Sequence, residues 1–241
     1  MVSHAAGRSP FFIACDHASR RIPRALGTLG LPESDLQRHI AWDIGAWAVA
    51  LRLADALDAF TIGQAYSRLV IDCNRPPQVP SAIPEISEAT PIPGNIGIGA
   101  AARAVRVEQI FRPYHDRIAA ELDARADAPT LLVAVHSFTP VHTGVARPWH
   151  AGVLFNQDAG ISRIMLELLR AEEGLVVGEN QPYSVSGLSD YTAPVHAEAR
   201  GLPYLELEIR QDLIAHDAGQ LAWADRLIRL LPLAYRRFRG A

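Results

Sequence analysis

Short apolar runs that stop abruptly on polar side chains constrain this chain most. Phe11–Cys15 passes directly into Asp16-His17-Ala18-Ser19, Leu69–Cys73 into Asn74-Arg75-Pro76-Pro77, and Leu131–Val135 into His136-Ser137. Runs of this length read as buried strands. Phe60–Ile62, Ala151–Phe155, Leu175–Gly178 and Pro203–Ile209 read the same way. Between them the apolar residues change to helical spacing. A helix is predicted from Glu33 to Ala59, carried by Ile40, Ile44, Trp47, Leu51 and Ala54, with Asp43 inside it or at a break near Gly45. A second runs from Ala100 to Ala126 and should kink at Pro113; others cover Ile161–Ala171 and Ala218–Phe238. Alternation of this kind predicts an α/β chain with a mostly parallel sheet covered on both faces. Residues 76–99 hold six prolines and three glycines, too many for a helix or central strand, yet Val79, Ile83, Ile86 and Ile92 argue for an ordered loop.

With 241 residues, 49% hydrophobic and 20% charged, the chain can bury one substantial core, and without a linker-like stretch it reads as a single domain, 1–241. A net charge of -3 offers no field to gather nucleic acid or an anionic membrane, so neither is expected as a partner. All 23 basic residues are arginine, which excludes Schiff-base lysine chemistry and a P-loop. Cys15 and Cys73 make neither a disulfide framework nor a thiolate zinc site, and they suit a reducing compartment. Residues 1–10 lack the pattern of a signal peptide and no apolar stretch reaches membrane length, so a cytoplasmic protein is expected.

In a parallel sheet the C-terminal strand ends share one edge, which makes His17, Asn74-Arg75 and His136 candidates for one site. Tyr204–Arg210 alternates so that Glu206, Glu208 and Arg210 share a strand face, and buried carboxylates there need arginine or a metal as partner. Two histidines with Asp43 could form a metal site with an open position for water, although no local zinc motif is present and each histidine could equally be structural. Arg68, Arg75 and Arg210 could hold a substrate carboxylate bidentately, or pair with neighbours such as Asp72, Glu206 or Asp212. His196 and Arg200 fall in a loop facing either a cleft or water. Ser19 and Ser137 lie outside any Gly-x-Ser-x-Gly elbow, which makes a serine hydrolase a poor fit.

Six separated motifs occur in order: Asp16-His-Ala-Ser, Ser67-Arg68-Leu-Val-Ile-Asp-Cys-Asn74-Arg75-Pro, Ile83-Pro-Glu-Ile-Ser through Ile92-Pro-Gly-Asn, Pro113-Tyr-His, His136-Ser, and Leu-Glu-Leu-Glu208-Ile-Arg. Together, from about Phe11 to Leu213, they resemble the N-formylglutamate amidohydrolase family, itself similar to zinc carboxypeptidases and aspartoacylases. The resemblance implies a three-layer αβα fold of the zinc carboxypeptidase-like (phosphorylase/hydrolase-like) kind, with one Zn2+ per chain, or another divalent metal, on His17 and His136. The carboxypeptidase pattern has a glutamate three residues after the first histidine. Here that residue is Arg20, so Asp43 is the expected third ligand. The resemblance further implies Glu208 as general base with Glu206 as its rival, Arg68 facing the scissile carbonyl, and Asn74 and Arg75 gripping the substrate's carboxylate; Arg210 and His196, from their own positions, are further candidate substrate contacts. The expected activity is hydrolysis of an N-formyl or N-acyl amino acid with a free carboxylate. A carboxypeptidase-like amidase or a noncatalytic carboxylate-binding protein is the alternative, and the oligomeric state stays open.

Overall fold

A computed structural model of the chain describes residues 2–4, 7–157 and 159–240. Met1, Ala5 and Ala6, part of the N-terminal stretch read for a leader, fall outside the described residues. Seven strands form one sheet in the order Val2–His4, Phe60–Gly63, Phe11–Cys15, Leu131–Phe138, Tyr204–Arg210, Ala151–Leu154, Val177–Glu179. The four from Phe60–Gly63 to Tyr204–Arg210 run parallel; Val2–His4 and the pair formed by the last two strands are antiparallel to their neighbours. The sheet is therefore mixed and mostly parallel.

Alternation along the strands splits the core in two. Phe11, Ile13 and Cys15 face helices Ala46–Leu57, Gly160–Arg170 and Asp217–Arg239, while Phe12 and Ala14 face Arg112–Ala124 and the ordered loop with Ile83 and Ile92. Both faces are covered, which gives three layers. No described helix is long and apolar enough to cross a membrane.

Three elements differ from the sequence expectation, each for a local reason. Only Glu33–Leu36 and Ala46–Leu57 of the first long helix form. Gly45 lies at φ 80° between them, and the Asp43 amide donates to the His17 carbonyl at 3.0 Å instead of a helical partner. Leu69–Cys73 is a buried turn and not a strand. Ser67 captures it: its hydroxyl donates to the Ala41 carbonyl at 2.7 Å and accepts the Leu69 amide at 3.1 Å, while the Val70 amide turns back onto the Ser67 carbonyl at 2.9 Å. In the next helix, a π-helical turn at Val107–Phe111 precedes Pro113, which has no N–H to continue an ordinary ladder.

Candidate metal centre and cavity

The parallel strand ends deliver His17 after Phe11–Cys15, His136 within Leu131–Phe138 and Glu208 within Tyr204–Arg210, with His136 and Glu208 side by side in register. Asp43 reaches the same point from the break before Ala46–Leu57. Glycine is required there: a Cβ on Gly45 would stand 2.1 Å from the Ile214 carbonyl oxygen, at a φ that other residues avoid.

His17, Asp43 and His136 offer one ligand atom each, all within 4.8 Å of one another, and all three residues are buried. Asp43 Oδ2 lies 3.2 Å from His17 Nδ1 and 2.8 Å from His136 Nδ1. The far nitrogens face carboxylates. His17 Nε2 is 2.8 Å from Asp72 Oδ1, and His136 Nε2 is 3.4 Å from Asp16 Oδ2, neither of these last two atoms having a hydrogen-bond partner among the described residues. Asp72, within hydrogen-bond distance of His17 Nε2, and Asp16, facing His136 Nε2, favour the tautomers that turn the Nδ1 lone pairs inward. With both rings neutral in those tautomers, two lone pairs and a carboxylate oxygen converge, a donor set that a cation would satisfy. The donor set fits a divalent metal.

Without a cation, the carboxylates around the two rings instead favour their protonated form. Burial pulls the His136 imidazole down, but Asp16 and Asp43 outweigh it and hold it well above its usual range; His17 is likewise raised by Asp72 and Asp43 against burial and Arg68. Burial would lift Asp43, yet the two histidines hold it down.

A cavity of about 400 Å³ opens over this cluster, lined by Arg68, Asn74, Arg75, Glu206, Glu208 and Tyr183 among others. Glu208 and Glu206 are buried, and each has an Oε2 atom without a partner among the described residues. Burial, with Asp43 and Glu206 adding to it against His136, pushes Glu208 up to about 8. Burial, with Asp190 and Asp16, pushes Glu206 up to about 7, again against His136. Arg68 donates to Asp72 Oδ2 from Nε at 3.1 Å and Nη2 at 2.6 Å, and its Nη1 stands 3.5 Å from Asp43. Asn74 Oδ1 accepts the amides of Tyr191 and Thr192, leaving its NH2 group to the cavity. Arg75 donates to the Ser189 carbonyl at 2.5 Å and stands 3.7 Å from Asp190.

Two expected substrate contacts lie elsewhere. Arg210 is turned from the cavity, donating to both Asp212 oxygens and to the Trp149 carbonyl, because a neighbouring acid two residues on captures the guanidinium. His196 sits in the short helix Thr192–His196, buried against His115 at 2.9 Å and absent from the cavity wall. Arg20 is half-buried and pairs with Glu33, and it is not part of the His17, Asp43 and His136 cluster. Asp16 and Asp72 were missed as functional residues. A charged residue spoiling the apolar run Leu69–Cys73 was the available signal for Asp72. Tyr183 and Asp190, on the long connection between Val177–Glu179 and Thr192–His196, gave none.

Residues 9–215 match the family model for N-formylglutamate amidohydrolase. Among solved structures, the chain is similar to a gene product of Agrobacterium tumefaciens at 38% identity and TM-score 0.93, covering 97% of this chain and 93% of that one. It also shares its fold with an N-formylglutamate amidohydrolase from Ralstonia eutropha JMP134, at 18% identity and TM-score 0.71, covering 100% and 98%. A search of curated protein sequences gave no match.

Proposed function

The chain belongs to the N-formylglutamate amidohydrolase family, and from that premise we propose that it is a metal-dependent hydrolase cleaving the amide bond of an N-formyl or other N-acyl amino acid with a free carboxylate. The observation that carries this reading is the inward convergence of His17, Asp43 and His136 beside the unpartnered carboxylate of Glu208, within one cavity.

His17, Asp43 and His136 would hold the metal, zinc by family expectation, with Asp72 and Asp16 fixing the two rings from behind. Bound there, a divalent cation supplies Lewis acidity for a carbonyl oxygen and brings a water's pKa toward neutrality. Glu208 is the general base. In its carboxylate form, Glu208 would accept a proton from water at the unpartnered Oε2 and return it to the departing amine nitrogen. Arg68, anchored on Asp72, presents its guanidinium to the cavity, where it stabilises negative charge as it develops on the carbonyl oxygen. Asn74 and Arg75 hold the substrate's carboxylate, converting binding energy into orientation of the amide. The burial of Glu208 and Asn74, and the half-burial of Arg68 and Arg75, limit the water around them and strengthen each interaction.

The test joins metal content with turnover. Elemental analysis of the purified protein should find near one divalent metal per chain, and N-formyl-L-amino acids should release formate. An absence of metal after reconstitution, or no turnover of any N-formyl or N-acyl amino acid by the loaded protein, overturns the reading.

A further inference from the structure

Among the acids lining the cavity, the mechanism above leaves Asp190 and Glu206 without a role. Glu206 is 4% exposed, lines the cavity, and has an Oε2 atom with no hydrogen-bond partner among the described residues. The surrounding acids are engaged. Asp43 lies between two imidazoles, Asp72 on Arg68 and His17, and Asp16 on the Thr192 hydroxyl at 2.7 Å. Asp190 accepts the Ser186 amide and the Ser189 hydroxyl and faces Arg75. A buried carboxylate without a partner is unfavourable, and one that faces a cavity can take its partner from the ligand.

The register indicates which part of a ligand meets it. Glu208 stands opposite His136 and Gly152; Glu206 stands opposite Ala134 and Leu154, two residues further from the C-terminal end of the strand. That places it roughly 7 Å deeper than the proposed base on the same strand face. The charge of Asp190, which also faces Arg75, bears on Glu206. Glu206 lines the same cavity as Asn74 and Arg75, which would hold the amino acid, with Leu154 opposite it in strand register as an apolar wall. An aliphatic chain ending in a cation complements that floor. A side-chain carboxylate would face Glu206 and Asp190 with like charge.

We propose that Glu206 is a specificity-determining residue that receives the cationic end of the substrate's side chain, so that the preferred substrates are N-acyl amino acids ending in an amine or guanidine. This rests on the N-acyl amino acid reading above. The test compares N-formyl-L-lysine, N-formyl-L-arginine, N-formyl-L-norleucine and N-formyl-L-glutamate with the metal-loaded protein and its Glu206→Gln variant. We expect kcat/KM for the lysine and arginine substrates to exceed that for norleucine and glutamate at least tenfold, and Glu206→Gln to shrink the lysine-to-norleucine ratio at least tenfold. A glutamate preference, or a ratio unmoved by Glu206→Gln, overturns the proposal. So does an equal fall in kcat on every substrate, which assigns Glu206 to proton transfer. A second measurement needs no variant and no turnover: the rise in Tm of the wild-type protein with free L-lysine, L-norleucine or L-glutamate, expected to be largest for lysine. Lysine-selective binding without hydrolysis of any substrate overturns the hydrolase reading and supports the Glu206 assignment. Neither hydrolysis nor selective binding overturns both.

Discussion

Two pairs of histidines are buried side by side in this molecule, with ring centroids 5.1 Å apart in each pair, and their surroundings give them opposite chemistry. His17 and His136 have carboxylates on both edges, from Asp43, Asp72 and Asp16, and are held above the usual imidazole range. His115 and His196 stack on each other, with Phe111 and Tyr191 packed against His115. His115 Nε2 donates to the Cys73 carbonyl at 2.9 Å, so its Nδ1 accepts from His196 Nε2 at 2.9 Å, which leaves His196 Nδ1 without a partner among the described residues. Burial depresses them to about 4 and about 3, the proximity of the two rings lowering His196 further. Depth alone therefore does not make a buried imidazole a cation site; the carboxylates around it do.

The sharpest way to break this contrast is to remove a ligand. His17→Ala or His136→Ala should abolish metal binding and hydrolysis while far-UV circular dichroism remains native. Retention of one metal per chain in either variant would move the site elsewhere. Glu208→Gln leaves the histidine centre in place and should lower kcat about 10² to 10⁴-fold with metal content unchanged, as measured by steady-state kinetics beside elemental analysis.

The second pair is tested through stability. Its folded pKa values lie below the unfolded value near 6.5, so the unfolded chain binds protons first as pH falls. Its contribution is complete above pH 6.5 and is lost progressively down to about 4 and about 3, by up to about 1.4 kcal/mol per pH unit for each imidazole. Urea unfolding from pH 7 to 4 reads this loss, and a His115→Gln, His196→Gln double variant should flatten the slope. An unchanged slope would show that the pair is not held neutral. The smallest effect belongs to the outer carboxylates: Asp16→Asn should weaken metal affinity about 10 to 100-fold, measured by chelator competition.

The arrangement of strands and covering helices was legible because burial imposes its two periods directly on the chain, as Phe11–Cys15 and Asp217–Arg239 illustrate. His17 and His136 stood out as candidates because polar residues ending an apolar run have few places to go except a ligand edge. What stayed hidden depended on long-range partners. Leu69–Cys73 has strand composition, but Ser67 and the Ala41 carbonyl 26 residues away fold it into a turn. The placements of Arg210 and His196 were settled by Asp212 and His115, contacts that sequence spacing does not rank.

Gly45 carries no functional group, yet Asp43 depends on it. Its backbone passes so close to Ile214, three residues before helix Asp217–Arg239, that no side chain fits between them. A substitution scan scored by activity would accordingly group Gly45 with the histidines, and the segment leading into the C-terminal helix would behave as part of the active site despite touching no substrate.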